Sequence, residues 1–399
     1  ETSAGHFSVS GTHTYSATGS DTAVVTLSDS PGSASATADT TINVVPPAGQ
    51  TFTFTTGTDN FHGGAGNDTF IAKSGTLTSG DVADGGGGTN TLELQGAGSF
   101  NLATPTTLTN IQVITAQEGQ SAGSANGQIF AAQNQIITLR AGLNATINVS
   151  AATLNPANPK PATITIIGAQ NNDVINLATG NDSVTLGGVG ETVNGGGGNN
   201  IFTVSSSTIG ATINGGTGTN TLQVTGGGTM AMGSNITGIA TVQLTPGTTA
   251  YNFTANAISG LTVNDLGTGL DTITAGGGNQ TLTGGAAGKE TMVGSASGSD
   301  TFKDATALLN GDTIKNFAAP DDAIDLTDLN STLVGTPQFV QSSGTSGVLT
   351  VTDGTHTAAI TLFGQFVASG FHTQTDGGTG TLVTYQPPQQ PLALAAPHA

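Results

Sequence analysis

The sequence predicts an all-β fold, a right-handed parallel β-solenoid of the β-roll or β-helix kind. Thr, Val and Ile recur at short intervals between Gly/Asn-rich turns in a chain with 61 glycines and 8 % charged residues. A nine-residue spacing links Asp173, Asp182, Glu191 and Asn200, and each is followed two positions later by an apolar residue. Nine residues are too few for a free-standing hairpin, whereas a solenoid stacks such units and buries one apolar side chain from each.

Residues 1–48 are predicted to form a partial β-sandwich segment. Polar and apolar residues alternate in three runs within "FSVSGTHTYSATGSDTAVVTLSDSPGSASATADTTINVV". The stretch resembles part of a PKD-like or cadherin-like bacterial surface domain. A sandwich of that kind needs about 100 residues, so we expect that Glu1 is not the native start. Pro46 and Pro47 mark the boundary to the next segment.

Residues 49–309 are predicted to form the solenoid itself, rich in Gly, Asn and Thr. A long-range repeat relates "DGGGGTNTLELQGAGSFNLATPTTLTNIQVIT" (84–115) to "NGGTGTNTLQVTGGGTMAMGSNITGIATVQLT" (214–245). Both run from a Gly-rich turn through Asn-Thr-Leu and a strand to a second turn and strand. Internal repeats of this kind indicate stacked structural units.

One stretch carries a family resemblance. "GGAGNDTFI" (63–71) matches the nonapeptide G-G-x-G-x-D-x-U-x at every fixed position. The chain therefore resembles the RTX proteins, calcium-binding repeat proteins secreted by Gram-negative bacteria, over roughly residues 57–385. The resemblance implies that Gly carbonyl oxygens and the Asp carboxylate bind Ca²⁺, with an Asp two nonapeptides later sharing the ion.

The residue types suit calcium, which takes about six to eight oxygen ligands from carboxylates and carbonyls. We expect a few calcium sites, whose candidate ligands are the carboxylates of Asp59, Asp68, Asp173, Asp182 and Glu191 and the carbonyl groups of Gly63, Gly64 and Gly66.

Several repeats depart from the RTX pattern. The Asp of the nonapeptide is replaced by Asn90, Asn200 and Asn220, and the residues 18 positions after Asp59 and Asp68 are not acidic. Asn can offer one neutral oxygen, or it can form a ladder with Asn on neighbouring coils without a metal. The sequence thus leaves open whether these turns bind metal or are only structural.

Residues 310–385 are predicted to form a C-terminal β cap. "NGDTIKNFAAPDDAIDLTDL" (310–329) resembles the segment that caps RTX β-rolls, and "ITLFGQFVASGFHTQTDGGTGTLVTY" (360–385) resembles the end of type I secreted proteins. The resemblance implies an uncleaved export signal and a location outside a Gram-negative cell or on its surface. Residues 386–399 are expected to be a disordered, Pro-rich tail.

The composition excludes several classes of binding partner and of enzymatic activity. The net charge of −19 argues against nucleic acid, and no apolar run is long enough to span a membrane. The chain has no Cys, no HExxH motif and no G-x-S-x-G motif, so we predict that it is not an enzyme. No acid lies between Glu118 and Asp173 or between Glu191 and Asp265, which favours a homo-oligomer or filament through uncharged faces.

The sequence therefore predicts a secreted structural protein of an S-layer, adhesin or extracellular fibre, folded or assembled with Ca²⁺. A cell-surface polysaccharide is a further candidate partner. Two alternatives stay open at this point. The chain could be the calcium-binding carrier domain of a larger secreted enzyme, or the subunit of a filament that assembles without calcium.

Overall fold

The computed structural model describes residues 12, 19–28, 35–44, 47–118, 123–125, 128–130, 133–151, 163–168, 172–247, 249–286, 289–318 and 320–388. Over these residues the chain is almost entirely β-structure, and its strands stack in parallel into a β-solenoid of about 11 turns. The predicted fold class is confirmed. The predicted disordered tail lies largely outside the described residues.

An antiparallel hairpin comes first. Strands β1 (Gly19–Ser28) and β2 (Ser35–Val44) pair along their whole length. They form a two-stranded sheet of their own, with Val24 and Val25 exposed to solvent. The rest of the predicted partial sandwich, apart from residues 12, 47 and 48, lies outside the described residues, so this segment stays a prediction.

The first half of the solenoid consists of short strands separated by turns. They are β3 (Thr51–Thr53), β4 (Asn60–His62), β5 (Thr69–Lys73), β6 (Val82–Asp84), β7 (Thr91–Gln95), β8 (Gly98–Asn101), β9 (Thr107–Thr109), β10 (Val113–Gln117), β11 (Gly123–Ala125), β12 (Gln128–Phe130), β13 (Gln135–Thr138), β14 (Thr146–Ser150), β15 (Ile164–Ile167), β16 (Val174–Asn176), β17 (Ser183–Thr185), β18 (Thr192–Asn194), β19 (Ile201–Ser205) and β20 (Thr212–Asn214).

The second half continues in the same way and ends in longer strands. Its elements are β21 (Thr221–Thr225), β22 (Gly228–Ala231), β23 (Ile236–Thr237), β24 (Thr241–Leu244), β25 (Tyr251–Thr254), β26 (Thr262–Asp265), β27 (Thr272–Thr274), β28 (Thr281–Thr283), β29 (Thr291–Val293), β30 (Thr301–Asp304), helix α1 (Thr306–Leu309), β31 (Thr313–Lys315), β32 (Ala323–Leu326), β33 (Gln338–Gln341), β34 (Ser346–Thr352), β35 (Thr357–Phe363), a 3₁₀ turn (Ala368–Gly370), β36 (Phe371–Thr375) and β37 (Thr381–Tyr385).

Four sheets form the sides of the solenoid. The long sheet has the order β8-β13-β15-β17-β19-β21-β24-β26-β28-β30-β32-β37-β36. A nine-stranded sheet runs β3-β5-β7-β10-β14-β16-β18-β20-β23, and an eight-stranded sheet runs β22-β25-β27-β29-β31-β35-β34-β33. A short sheet, β4-β6-β9, completes the first coils. Within the solenoid proper, neighbouring strands are parallel because each comes from the next coil.

Coil length varies along the chain. Val174 pairs with Thr192, so this coil takes the 18 residues of two nonapeptides. The next coil pairs Thr192 with Thr212, and near the N-terminus Thr69 pairs with Thr91. The additional residues lie in the turns, since the strands keep their register. Coils of two nonapeptides therefore occur only locally, in the central coils and in the first coil, where Thr51 pairs with Thr69.

The interior is a set of stacked apolar files. On the nine-stranded sheet the inward file is fully buried and in register from coil to coil, in the order Phe70, Leu92, Ile114, Ile147, Ile175 and Val193. Each such side chain contributes about 1.5–3 kcal/mol relative to an exposed one. At the first coil, Phe52 stacks on Phe61 and Phe70 with ring centroids 5.1 and 5.0 Å apart.

The C-terminal strands end the parallel stacking, as predicted for a cap. β37 adds to β32 in the antiparallel sense, and β36 adds to β37 in turn. On another side, β34 and β33 extend β35 as an antiparallel meander. Phe366, Phe371 and Tyr385 pack together there with centroids 4.8–5.8 Å apart. Parallel pairing continues beyond the predicted boundary at residue 310, to β32 on the long sheet and to β35 on the eight-stranded sheet.

Candidate metal-binding corners

A polar residue lies at the corner of almost every coil, directly before a strand. These side chains are buried, and they are Asp68, Asn90, Asp173, Asp182, Glu191, Asn200, Asn220, Asp271, Gln280, Glu290, Asp300, Asp312 and Asp322. For most of these residues, one side-chain oxygen accepts a hydrogen bond from a main-chain N–H group of the preceding coil. Ile164 N–H donates to Asp182 Oδ1 (2.8 Å), and Asp182 N–H donates to Asn200 Oδ1 (2.9 Å). Asp and Asn can exchange at this position because both supply that acceptor oxygen.

In the opening stretch both carboxylates close turns. Asp68 accepts the N–H of Gln50 on Oδ1 (2.6 Å) and the N–H of Gly64 on Oδ2 (2.9 Å). Asp59 accepts the N–H and the hydroxyl of Thr55 at 2.7 and 3.1 Å. Every carboxylate oxygen of this pair therefore has a donor within the protein. The calcium role predicted for Asp59 and Asp68 stays a prediction.

Two of the three glycines of the nonapeptide, Gly63 and Gly66, allow the turns of successive coils to approach closely. A Cβ atom at Gly63 would overlap the main-chain carbonyl of Gly85, and one at Gly66 would lie 2.6 Å from the Ala48 carbonyl oxygen. The carbonyl oxygen of Gly64 accepts an N–H from the next coil at 2.8 Å. Close packing is thus a sufficient reason for glycine at positions 63 and 66. The prediction that the carbonyl groups of these glycines and of Gly64 bind calcium stays a prediction.

Asp173 and Glu191 meet at one corner of adjacent coils, as their spacing predicts. The carboxylate of Glu191 accepts the N–H groups of Gly187 (2.8 Å) and Gly188 (3.0 Å) on Oε2. Its Oε1 is buried and accepts no hydrogen bond from the described residues. Burial raises the pKa of Glu191, and the negative charge of Asp173 raises it further.

Asp182 lies at a different corner, before the long sheet. Its Oδ1 accepts one N–H, but its Oδ2 is buried and accepts no hydrogen bond from the described part of the chain. Burial raises the pKa of Asp182 to about 7, with a smaller contribution from the charge of Glu118. Of the predicted ligands, Asp182 and Glu191 are those with a buried oxygen that lacks a donor.

The structure also reveals an acidic corner that the sequence analysis did not single out: Asp265, Asp271, Glu290 and Asp312. All four side chains are buried. The Oδ2 atom of Asp312 accepts no hydrogen bond from the residues described, and the Oδ2 atoms of Asp265 and Asp271 have no partner other than each other's carboxyl group. Burial and the adjacent Asp271 raise the pKa of Asp265, and burial raises that of Asp312 to about 6.

A spacing search could have found only part of this corner. Asp271 and Glu290 fit the repeat pattern, but Asp312 follows Glu290 by 22 residues and Asp265 ends a strand instead of preceding one. Throughout the described ranges, no three or more His, Asp or Glu side chains form a group that could hold a metal by themselves. A cation at any of these corners would therefore also need main-chain carbonyl oxygens or water as ligands, which calcium accepts readily.

A cleft in the cap is lined by Asp328, Asn330, Asp353 and His356, among others. His356 Nδ1 lies 3.2 Å from Asp353 Oδ2. Asp353 also accepts main-chain N–H groups from His356 and Asn330, which hold the pKa of its carboxyl well below the usual range. These hydrogen bonds tie cap loops together and give the His–Asp pair a structural explanation.

Searches for related proteins and for membrane segments give no further identification. None of the helices in the described ranges is long and apolar enough to cross a membrane. No family model, curated protein or solved structure matches the sequence.

Proposed function

We propose that this chain is a structural, non-catalytic β-solenoid of a secreted cell-surface protein, of the S-layer, adhesin or extracellular-fibre kind, and that calcium stabilises its fold. The proposal that calcium stabilises the fold rests on one observation. Buried carboxylates at three corners, namely those of Asp182, of Glu191 and of Asp265, Asp271 and Asp312, retain an oxygen that accepts no hydrogen bond from a main-chain N–H, hydroxyl or amide group of the described residues. The remaining parts rest on the resemblance to RTX proteins.

The physical argument starts from the cost of an unpaired buried charge. An ionised carboxylate that is buried with one oxygen lacking a donor loses hydration that its remaining hydrogen bonds replace only in part, which costs up to several kcal/mol. Two events remove that cost, namely protonation and the binding of a cation. The pKa of about 7 for Asp182 means that protonation becomes incomplete near neutral pH. Above that pH a cation is the remaining means of neutralising the group.

Calcium fits this role because it prefers oxygen ligands and tolerates irregular coordination. Asp182, Glu191, Asp265, Asp271 and Asp312 would supply carboxylate oxygens, and main-chain carbonyls or water would complete the set. When bound, the ion supplies positive charge to the corners. Because the ligands come together only in the folded coils, calcium binding is coupled to folding. A chain made where calcium is scarce would then gain stability outside the cell.

A second candidate, a solenoid that folds and assembles without calcium, has its own support. Asn200 at a central corner uses its oxygen to accept the N–H of Asp182, and its amide donates to the Gly195 and Gly197 carbonyls. Asp68 is also fully hydrogen-bonded. Corners of this type need no cation.

The two candidates are separated by thermal unfolding of the full chain in EGTA, with Ca²⁺ or Mg²⁺, at pH 8 and pH 5.5. We expect Ca²⁺ to raise Tm at pH 8 and to do so less at pH 5.5, because protons compete for the same oxygens. The double variant Asp265→Asn/Asp271→Asn should lose much of the calcium effect. The control Asp59→Asn alters a turn-closing carboxylate and should retain it.

Equal unfolding curves in EGTA and Ca²⁺, with no heat of binding in calorimetry, would contradict the calcium proposal and leave the calcium-independent solenoid. A calcium effect that Asp59→Asn abolishes and Asp265→Asn/Asp271→Asn preserves would move the site to the opening stretch.

A further inference from the structure

The outward face of the long sheet carries no charge over nine successive strands. From β8 to β28 its side chains form two files, and the registers align them from coil to coil. The first file is Ser99, Ile136, Thr165, Ser183, Ile201, Thr221, Thr241, Thr262 and Thr281. The second file is Asn101, Thr138, Ile167, Thr185, Thr203, Gln223, Gln243, Asn264 and Thr283.

This uncharged face is longer than those on the other sides of the solenoid, although six strands of the nine-stranded sheet, from β10 to β23, also contain no charged residue. The nine-stranded sheet presents Lys73 and Glu93, and the eight-stranded sheet presents Lys315. On the long sheet the first charged outward residue is Lys303, which pairs with Asp325 at 2.7 Å next to the cap. In a chain of net charge −19, a continuous uncharged face is the surface on which two copies repel each other least.

The face also exposes apolar side chains. Ile136, Ile167 and Ile201 are 42 %, 39 % and 37 % exposed on three of its strands. Isolated exposed apolar residues are common on proteins, but these three isoleucines lie in the aligned outward files of one sheet, with no charged residue among them.

We propose that two copies of this chain pack face to face through the uncharged outward face of the long sheet. Sheets pack at about 10 Å when their facing side chains are of this β-branched kind. A two-fold arrangement lets the same face serve both partners. The face borders two of the proposed cation-binding corners, because Asp182 precedes Ser183 and Asp265 follows Asn264. The inference uses none of the corner carboxylates, so it does not rest on the calcium proposal.

The dimensions of the uncharged face determine how strongly the two copies are expected to bind each other. Nine strands about 4.8 Å apart make a face about 40 Å long, and two outward residues per strand make it about 13 Å wide. Each copy would bury about 500 Å², so the pair would bury about 1,000 Å² in total, which is the lower end for a specific interface. We therefore expect a reversible dimer that forms in the micromolar range.

Sedimentation velocity of the full chain, over a dilution series up to about 100 µM and at two salt concentrations, tests the proposal. Each experiment is run in EGTA and in Ca²⁺. We expect a monomer–dimer equilibrium that strengthens with salt, because salt screens the repulsion between the acidic copies. Thr203→Lys places a charge at the centre of the face and should weaken dimerisation about 10-fold or more.

Thr192→Lys is the matched control. Thr192 is a half-buried outward threonine of the nine-stranded sheet, so the substitution makes the same change in net charge away from the proposed interface. It should leave dimerisation unchanged, and circular dichroism should show both variants folded. A wild-type chain that stays monomeric throughout would overturn the proposal. So would equal weakening by both variants, or binding that weakens with salt and is unaffected by Thr203→Lys.

Discussion

Replacing Asp182 with Asn isolates the energetic effect of one buried charge. The two side chains have the same shape, and Asn keeps an oxygen for the Ile164 N–H that Asp182 accepts at 2.8 Å. The coil that follows shows that an amide is accommodated at such a corner. There Asn200 Nδ2 donates to the carbonyls of Gly195 (2.8 Å) and Gly197 (3.1 Å).

The expected change in the free energy of unfolding follows from the pKa of Asp182. A rise from 3.8 to about 7 in the folded protein corresponds to about 4 kcal/mol of lost stability once the group ionises. Because the folded pKa is raised, the stabilising contribution of the protonated carboxyl is complete below the unfolded value of 3.8. That contribution is lost as the pH rises through about 7. Asp182→Asn should therefore gain about 2–4 kcal/mol at pH 8 without calcium, less any cost of imperfect amide hydrogen bonds.

The assay is urea unfolding in EGTA, followed by circular dichroism at pH 8 and pH 4. The gain should be present at pH 8 and nearly absent at pH 4, where the wild-type carboxyl is protonated. The reverse substitution, Asn200→Asp, introduces a charge at an equivalent corner and should lower stability at pH 8. If Asp182→Asn is destabilising at pH 8, or changes stability equally at both pH values, the buried charge is not the cause.

Three further predictions concern the turns, the core and the pH response. Gly63→Ala forces a Cβ atom into atoms of its own turn and of the next coil, so its Tm should fall by several degrees. Gly57→Ala meets only an ordinary contact at 3.5 Å and should have little effect on Tm. Phe70→Ala empties a fully buried site and should cost about 3–5 kcal/mol in denaturant unfolding. Wild-type protein in EGTA should lose stability as the pH rises through about 6 and about 7, the folded pKa values of Asp312 and Asp182; a flat profile would contradict the burial argument.

The sequence predicted the fold well because the solenoid is a local structure. Each coil contacts mainly its neighbours, so the alternation of buried and outward residues, such as Phe202 beside Thr203, is visible in short windows. Gly-rich turns and a polar residue before each strand recur for the same local reason. The nonapeptide around Asp68 likewise marked a real turn, although its chemistry as a metal ligand could not be derived from spacing.

Which residues meet at a corner, and which residues align on one face, could be determined only from the tertiary structure, because coil length changes along the chain. A coil of 18 residues brings Asp173 to Glu191, but a step of 22 residues brings Asp312 to Glu290, and no fixed period predicts both. The sequence determined that acids would recur and that a long uncharged stretch would exist. Only the stacking register decided which carboxylate oxygens are buried without a donor, and which uncharged residues align on one face.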